Sequence, residues 1–454
     1  MSKGTTTIIG ETDMVPVSNS FLSKKIFFTL IFLTLCVAAR EKKPWTFIVY
    51  TAADNSLRDF ASRNIKQMAT VGSSSNINIL VHLDIRLLGS KKMTRRYYVE
   101  KNNPVQLEMH EKTPMNSGDV QTLISACRWA IEEYPADHYM LVLWDHGTGI
   151  IDPYGRRHID TRTLFVYNPE ANTYELDRSI GFLELIELIN DPKGICWDDS
   201  NGDYLTNQKF EFALHEIVSN VLHGKKFDII AFDACLMSMI EIANITKNYA
   251  NIQIGSVEVE PGPGYRYDVV LSPFLNGCPE PRAFASHVVD SFATAYKPMG
   301  NHPGFVDYTQ SALDLNLVGF LEQNVDQLGQ LLDLAIQSPE SSQFKNIISL
   351  SRNRKNCTHF NEPSYIDLHH FYTNILRNIV PLENNALAKQ IKQVVQDGMQ
   401  LINKVVIHTV SGANLPNTKG ISIYFPERKI HPSYKKTNFA KNAWAKFLTD
   451  YLLS

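Results

Sequence analysis

Cysteine is scarce in this chain. Six residues are scattered over 454, too few and too far apart for a disulfide framework. An excess of charge of one sign is also missing. The formal net charge is −3 and the sequence pI is near 6.5, which leaves no electrostatic footprint for nucleic acid. No long block of like charge marks an acidic or basic tail. No apolar run reaches the roughly 20 residues of a membrane-spanning helix. A G-x-S-x-G elbow and a Walker A loop are both absent, which removes the α/β-hydrolase and P-loop classes. His215-Glu216 opens an H-E-x-x-H motif, but Ser219 stands where the second histidine is needed, so a zincin is excluded. Internal repeats and low-complexity segments are missing too.

What is present begins with a leader. Lys24-Lys25 precede Ile26–Val37, apolar apart from two threonines, and Val37-Ala38-Ala39 places small residues at −3 and −1. This is the layout of a secretory signal peptide cleaved near Ala39. It predicts a secreted or envelope (periplasmic or extracellular) protein, with an N-terminal anchor over 1–39 as the alternative. Membrane contact is expected only if that segment is not cleaved.

From Trp45 onward, short apolar runs alternate with helical patterns. "WTFIVYTAAD", "NINILVHLD", "HYMLVLWDHGTG", "FDIIAFDAC" and "IQIGSVEVE" read as strands, with "TRRYYVEK" as an edge strand or hairpin. Helices are expected from after Asp54 to about Met68, over 119–133 and over 207–221, the last capped by Thr206. Near-continuous apolar strands between amphipathic helices predict an α/β fold: a mostly parallel sheet with helices on both faces. A polar insertion over about 150–195 carries Arg156, Arg157, Arg162 and Arg178. Connections this long and without clear periodicity are usually functional or mobile. Residues 40–300 therefore read as one sheet domain, and 301–454 as an additional, mixed and mainly helical C-terminal region.

In an open parallel sheet, ligands bind at the carboxyl ends of the strands. Two strands end there in reactive side chains, "LVLWDHGTG" in His146 and "IIAFDAC" in Cys235. If these strands are neighbours, both side chains reach one rim. A thiol of ordinary pKa is mostly protonated at neutral pH, and the thiolate is the nucleophile. A helix N-terminus directly after Cys235 would favour the anion, and His146 could protonate a leaving amine. Gly147 could bring a backbone N–H to an oxyanion beside the N–H of Cys235. The bland alternatives are a packed cysteine, as Cys127 is expected to be on its helical stripe, and a structural histidine. Cys196, Cys278 and Cys357 lie in loop-like surroundings, paired or free.

No metal site is defined. "DDSNGDYLT" crowds Asp198, Asp199, Asn201 and Asp203, but Gly202 is out of place for a calcium loop. A turn leading to the Thr206 cap explains the stretch better. The pair His369-His370 has no matching ligand spacing.

The motifs "YTAADNSL", "EEYPADHYMLVLWDHGTG", "CWDDSNGDYLT", "IIAFDACLMS" and "VEVEPGPGYRYD" resemble, in order and spacing, those of clostripain-like cysteine peptidases. The resemblance spans about residues 45–268, with weaker echoes in "KGISIYFP" and the last helix. The D-H-G and D-A-C motifs stand about 90 residues apart, each behind an apolar strand. The resemblance implies a caspase-like fold shared with gingipains and legumain, and a His146/Cys235 dyad. It also implies cleavage of protein or peptide substrates after Arg or Lys, with Asp233 in the pocket for that side chain. Asp233 could equally brace its own turn. Pro263 stands where the family often has a further acid, and Thr148 follows Gly147 where glycine or serine is common. Such peptidases are often made as inactive precursors that cut themselves between His and Cys, which makes Arg156, Arg157 and Arg162 candidate self-cleavage points. Calcium stays open: some relatives depend on it, while the chemistry itself requires no cofactor. A reading from another class is a catalytically silent binding or adhesion module built on the same fold.

Overall fold

The computed structural model describes residues 40–107, 109, 113–152, 164–179, 194–301 and 303–454. The leader over 1–39 and the candidate cleavage points Arg156, Arg157 and Arg162 lie outside the described residues. Residues 40–454 form one unit by their contacts.

Sixteen strands are described. In chain order they are β1 (Lys43–Ala53), β2 (Ile77–Ile85), β3 (Met93–Glu100), β4 (Asn103–Leu107), β5 (Ala136–Trp144), β6 (Phe165–Asn168), β7 (Thr173–Leu176) and β8 (Ile195–Asp198). β9 (Asp203–Leu205), β10 (Phe227–Asp233), β11 (Ala250–Gly255), β12 (Gly304–Phe305), β13 (Thr309–Asp314), β14 (Tyr365–Asp367), β15 (Val406–Ser411) and β16 (Ser422–Tyr424) follow. Nine of them make the central sheet, in the order β15-β13-β11-β10-β5-β1-β2-β3-β4. The five middle strands are mutually parallel. The pairs at either edge are antiparallel.

Side-chain alternation along the middle strands builds two cores. Phe47, Val49, Met140, Val142, Ile229 and Ala231 point into one. Ile48, Tyr50, Leu141, Leu143, Ile230 and Phe232 point into the other. Both faces of a strand can be apolar only if both are covered. Helices Arg58–Val71 and Pro281–Tyr296 cover the first face. Helices Val120–Glu133, Asn207–Glu216, Leu315–Gln337 and Ala386–Val405 supply the second core. Each fully buried large apolar side chain contributes about 1.5–3 kcal/mol. At one edge, β4 carries Pro104 and partly exposed residues, which suits a strand that must not recruit another.

The expected α/β class and its mostly parallel sheet are therefore present. Asp119 and Thr206 cap their helices, accepting from Gln121 N and Lys209 N. Beyond residue 300, β13 and β15 extend the same sheet, so this region packs as part of the sheet. The insertion holds structure that its sequence did not announce: β6 and β7 form a hairpin, and β12 adds to it. The strand expected over "IQIGSVEVE" ends at Gly255, after which the chain turns across the carboxyl rim. Among the described residues, no helix is long and apolar enough to cross a membrane.

Candidate active site

β5 and β10 are adjacent and parallel, with Trp144 opposite Asp233. His146 and Cys235 each lie two residues beyond that pair, so both emerge at the same level of the rim. They line one narrow pocket with Leu57, Asp145, Asp233, Glu260, Pro261 and Gly264. His146 is 1% exposed and Cys235 4%. The cavity between them is small, ≈ 20 Å³, room for about one water molecule.

His146 is positioned from several sides. Its Nε2 and Ser56 Oγ share a hydrogen bond of 2.9 Å, and its ring packs on Trp197 at 4.4 Å between centroids. The preceding Asp145 is buried and accepts from Asn55 Nδ2 (2.7 Å) and from the backbone N–H of Trp197. Asn55 also donates to Ala52 O and Trp197 O. Cys196 takes φ +61°, a left-handed conformation costing about 1–2 kcal/mol in a non-glycine residue. Together these bonds fasten β8, and with it Trp197, over the end of β5.

β8 is held down in turn by a charge cluster. Asp54, Asp84 and Asp198 lie at the carboxyl ends of β1, β2 and β8, and the Lys92 ammonium meets all three, at 2.9 Å from Asp84 and 3.6 Å from Asp54. Burial pushes Asp84 up to about 6. Asp198 is also desolvated, yet its bonds to Lys92 and Asn201 bring it below the usual carboxylate range. These acids already surround a cation. Among the described residues no group of three or more His, Cys, Asp or Glu side chains is placed to hold a metal ion.

Cys235 differs from expectation in one respect. No helix begins beside it: the next one, Ile240–Thr246, starts five residues later with Met239 as N-cap. Instead the chain turns at Leu236, φ +65°, and is laced to the loop after β11. Leu236 N donates to Glu258 O and Ser238 N to Ser256 O. The cysteine sulfur accepts the N–H of Glu260 at 3.2 Å. Burial, then the nearby carboxyls of Glu260 and Glu258, push the thiol well above its ordinary value. This environment favours the protonated thiol over the thiolate.

Gly147 is required by close approach. A Cβ there would lie 2.4 Å from Cys235 O, so the two rim loops can nest only with glycine. Asp233 is buried, accepting from Tyr265 N (3.0 Å) and Tyr267 Oη (2.8 Å), and it also faces the pocket. It braces the turn and lines the cavity at once. Thr148 is used locally, donating to Ile151 O.

Sequence reasoning passed over Asn55, Ser56, Trp197, Lys92 and Glu260. All but Lys92 lie inside the quoted motifs, in "YTAADNSL", "CWDDSNGDYLT" and "VEVEPGPGYRYD". A second Cys/His combination offers no rival site. Cys357 and His359 border a roomier polar cleft of ≈ 540 Å³. However, both ring nitrogens of His359 face backbone carbonyls, of Pro363 and Arg352. Cys127, Cys196, Cys235, Cys278 and Cys357 are all free thiols.

Comparison with known proteins decides the family. The model of the clostripain family, Peptidase C11, matches residues 49–165 and 185–451. The chain belongs to the clostripain family of cysteine peptidases. It is 26% identical over 250 residues to clostripain of Hathewaya histolytica, a match covering 50% of this chain and 41% of that protein. The chain thus spans less than half the length of that relative. The clostripain-family fold is also seen in solved structures. A secreted C11 cysteine protease from Bacteroides thetaiotaomicron, in complex with an irreversible peptide inhibitor, superposes with TM-score 0.57 at 20% identity, covering 91% of this chain and 100% of that one. An inactive zymogen C11 protease from Parabacteroides distasonis gives 0.56 at 19% identity, covering 89% and 99%.

Proposed function

We propose that this protein is a secreted cysteine endopeptidase that hydrolyses peptide bonds after Arg or Lys. The observation that carries the reading is the pairing of Trp144 with Asp233, which sets His146 and Cys235 side by side at the carboxyl rim over a pocket containing buried acid. His146 takes the thiol proton, and the thiolate attacks the scissile carbonyl carbon. The tetrahedral oxyanion is met by the N–H groups of Gly147 and Cys235. His146 then protonates the departing amine, and water, deprotonated by the same ring, hydrolyses the thioester. Asp233 attracts the basic side chain.

The closed, 4%-exposed state of Cys235 supports a precursor. Self-cleavage at Arg156, Arg157 or Arg162 would free the cleft and leave two associated chains. Secretion follows from the layout of residues 1–39 and agrees with the secreted Bacteroides relative. Calcium has no step assigned to it, because the clustered acids enclose Lys92.

The deciding experiment compares wild type with Cys235→Ala on peptides bearing Arg, Lys, Asp or Asn at P1. Cleavage after Arg or Lys, abolished by the substitution, is the expected outcome. A folded wild type that hydrolyses none of them would favour the binding module instead.

A further inference from the structure

Two carboxyl groups meet at the base of the candidate pocket, and they are not equivalent. Asp233 is satisfied by Tyr265 N and Tyr267 Oη. Gly264, φ +62°, lies so close that a Cβ would come within 2.4 Å of Asp233 Oδ1. Glu260 is 5% exposed. Its Oε1 accepts from Gln310 Nε2 at 3.1 Å, while its Oε2 is buried and receives nothing from any N–H or hydroxyl. Both carboxyls line the same small cavity and lie close enough to influence each other directly.

A buried carboxyl pair in contact cannot be fully ionised without a cation. Among the described residues no Lys or Arg reaches either group. The titratable groups around the pair are Cys235 and His146 on the rim, Glu258, Tyr265 and Tyr267 on the loop after β11, and Tyr296 on helix Pro281–Tyr296. Arg266 is spent on Asp268. Arg178 is spent on Glu258 and Asp307. Burial and mutual repulsion raise Glu260 well above the carboxylate range, and burial pushes Asp233 up to about 7. Two acids buried around one small cavity favour keeping one proton on the pair.

Resting on the basic-P1 reading above, we propose that this shared proton is a placeholder for the substrate's positive charge, and that Glu260 is the second specificity acid. Glu260 supplies what Pro263 cannot. When a guanidinium or ammonium enters between Asp233 and Glu260, the carboxyl O–H breaks and its proton passes to solvent. The pair gains one negative charge and the ligand brings one positive, so the net charge beside Cys235 is unchanged. The direct consequence is linkage: below the titration range of the pair, protons compete with the ligand. Affinity for a basic ligand then falls up to about tenfold per pH unit as pH drops, and it levels off above that range.

The test uses active wild-type protein whose thiol has then been capped as a methyl disulfide. Agmatine and an arginine-terminated peptide are titrated calorimetrically in two buffers of equal pH and different ionisation enthalpy. About one proton released per ligand is expected, and almost none from Glu260→Gln, which keeps a donor toward Asp233 but has no proton to give. Should the variant fold poorly, the pH dependence of agmatine inhibition of wild type carries the same information. Binding without proton release, equal release from Glu260→Gln, or a pH-independent inhibition constant overturns the proposal. So does cleavage after Arg or Lys with neither ligand bound. If wild type cleaves no Arg or Lys peptide at all, the basic-P1 reading itself has failed.

Discussion

The backbone N–H of Glu260 donates to the sulfur of Cys235 across 3.2 Å. The candidate nucleophile is thus tied to the loop that also brings an acid into the pocket. Under the proposed function, a shift of that loop would alter the thiol's environment and the pocket floor together.

Thiol reactivity reports this directly. In the intact chain, burial and the carboxyls of Glu260 and Glu258 hold the thiol in its protonated form. Alkylation of Cys235 by iodoacetamide at pH 7–8 should be about tenfold or more slower than that of a free thiol, and its rate should still be rising at pH 9. Chain cleavage within the insertion should accelerate it. Rapid labelling of the uncleaved chain at neutral pH would count against a closed precursor.

Replacing His146 by Ala removes the proton carrier of the proposed mechanism. A loss of roughly 10²–10⁴-fold in kcat is expected, with the substrate-binding component of KM little changed. Steady-state kinetics on an Arg-P1 peptide checks this.

Asn55→Ala tests the support of His146. It strips Asp145 of a 2.7 Å donor in a buried site, costing about 1–3 kcal/mol of stability. A merely structural role would lower the melting temperature alone. A positioning role also lowers kcat and displaces the acidic limb of the pH–rate profile, because the His146 loop loses its anchor.

Lys92→Met leaves three buried carboxylates facing one another. Removing one partner of a buried charge cluster costs about 3–5 kcal/mol. The sign of the Asp84 contribution follows from its raised value. Asp84 titrates near 6 in the folded protein, above its unfolded value of about 3.9, so the folded state binds more protons and its stability falls as pH rises through that window. Without Lys92 the effect deepens. The melting-temperature gap between wild type and variant should therefore be smaller at pH 5 than at pH 8.

Gly264→Ala separates binding from chemistry. Its Cβ would press on the Asp233 carboxylate at a positive φ, so KM for Arg-P1 peptides should rise about tenfold or more. Thiol alkylation of the cleaved enzyme should change little by comparison.

Much of the fold was legible because the strands carry unbroken apolar runs that only two-sided burial tolerates. The helix caps at Asp119 and Thr206 could be read because capping is local chemistry. The helix expected beside Cys235 failed for a non-local reason. Leu236 and Ser238 satisfy their N–H groups on Glu258 O and Ser256 O, and that lacing competes with helix nucleation until Ile240. The hairpin β6–β7 was hidden because its strands are only four residues long, too short for a periodic signal.

Sequence by itself determined the chemistry available: one cysteine and one histidine at strand ends, a glycine between their loops, and an acid two residues before the thiol. These follow from composition and period, which are properties of short segments. Tertiary structure alone decided that β5 and β10 are neighbours in register, that Lys92 fills the acidic cluster, and that Glu260 shares the floor of the pocket with Asp233. Each of these depends on which segments the sheet and its rim loops bring together from far along the chain. The free energy of such contacts lies in burial and pairing that no local pattern records.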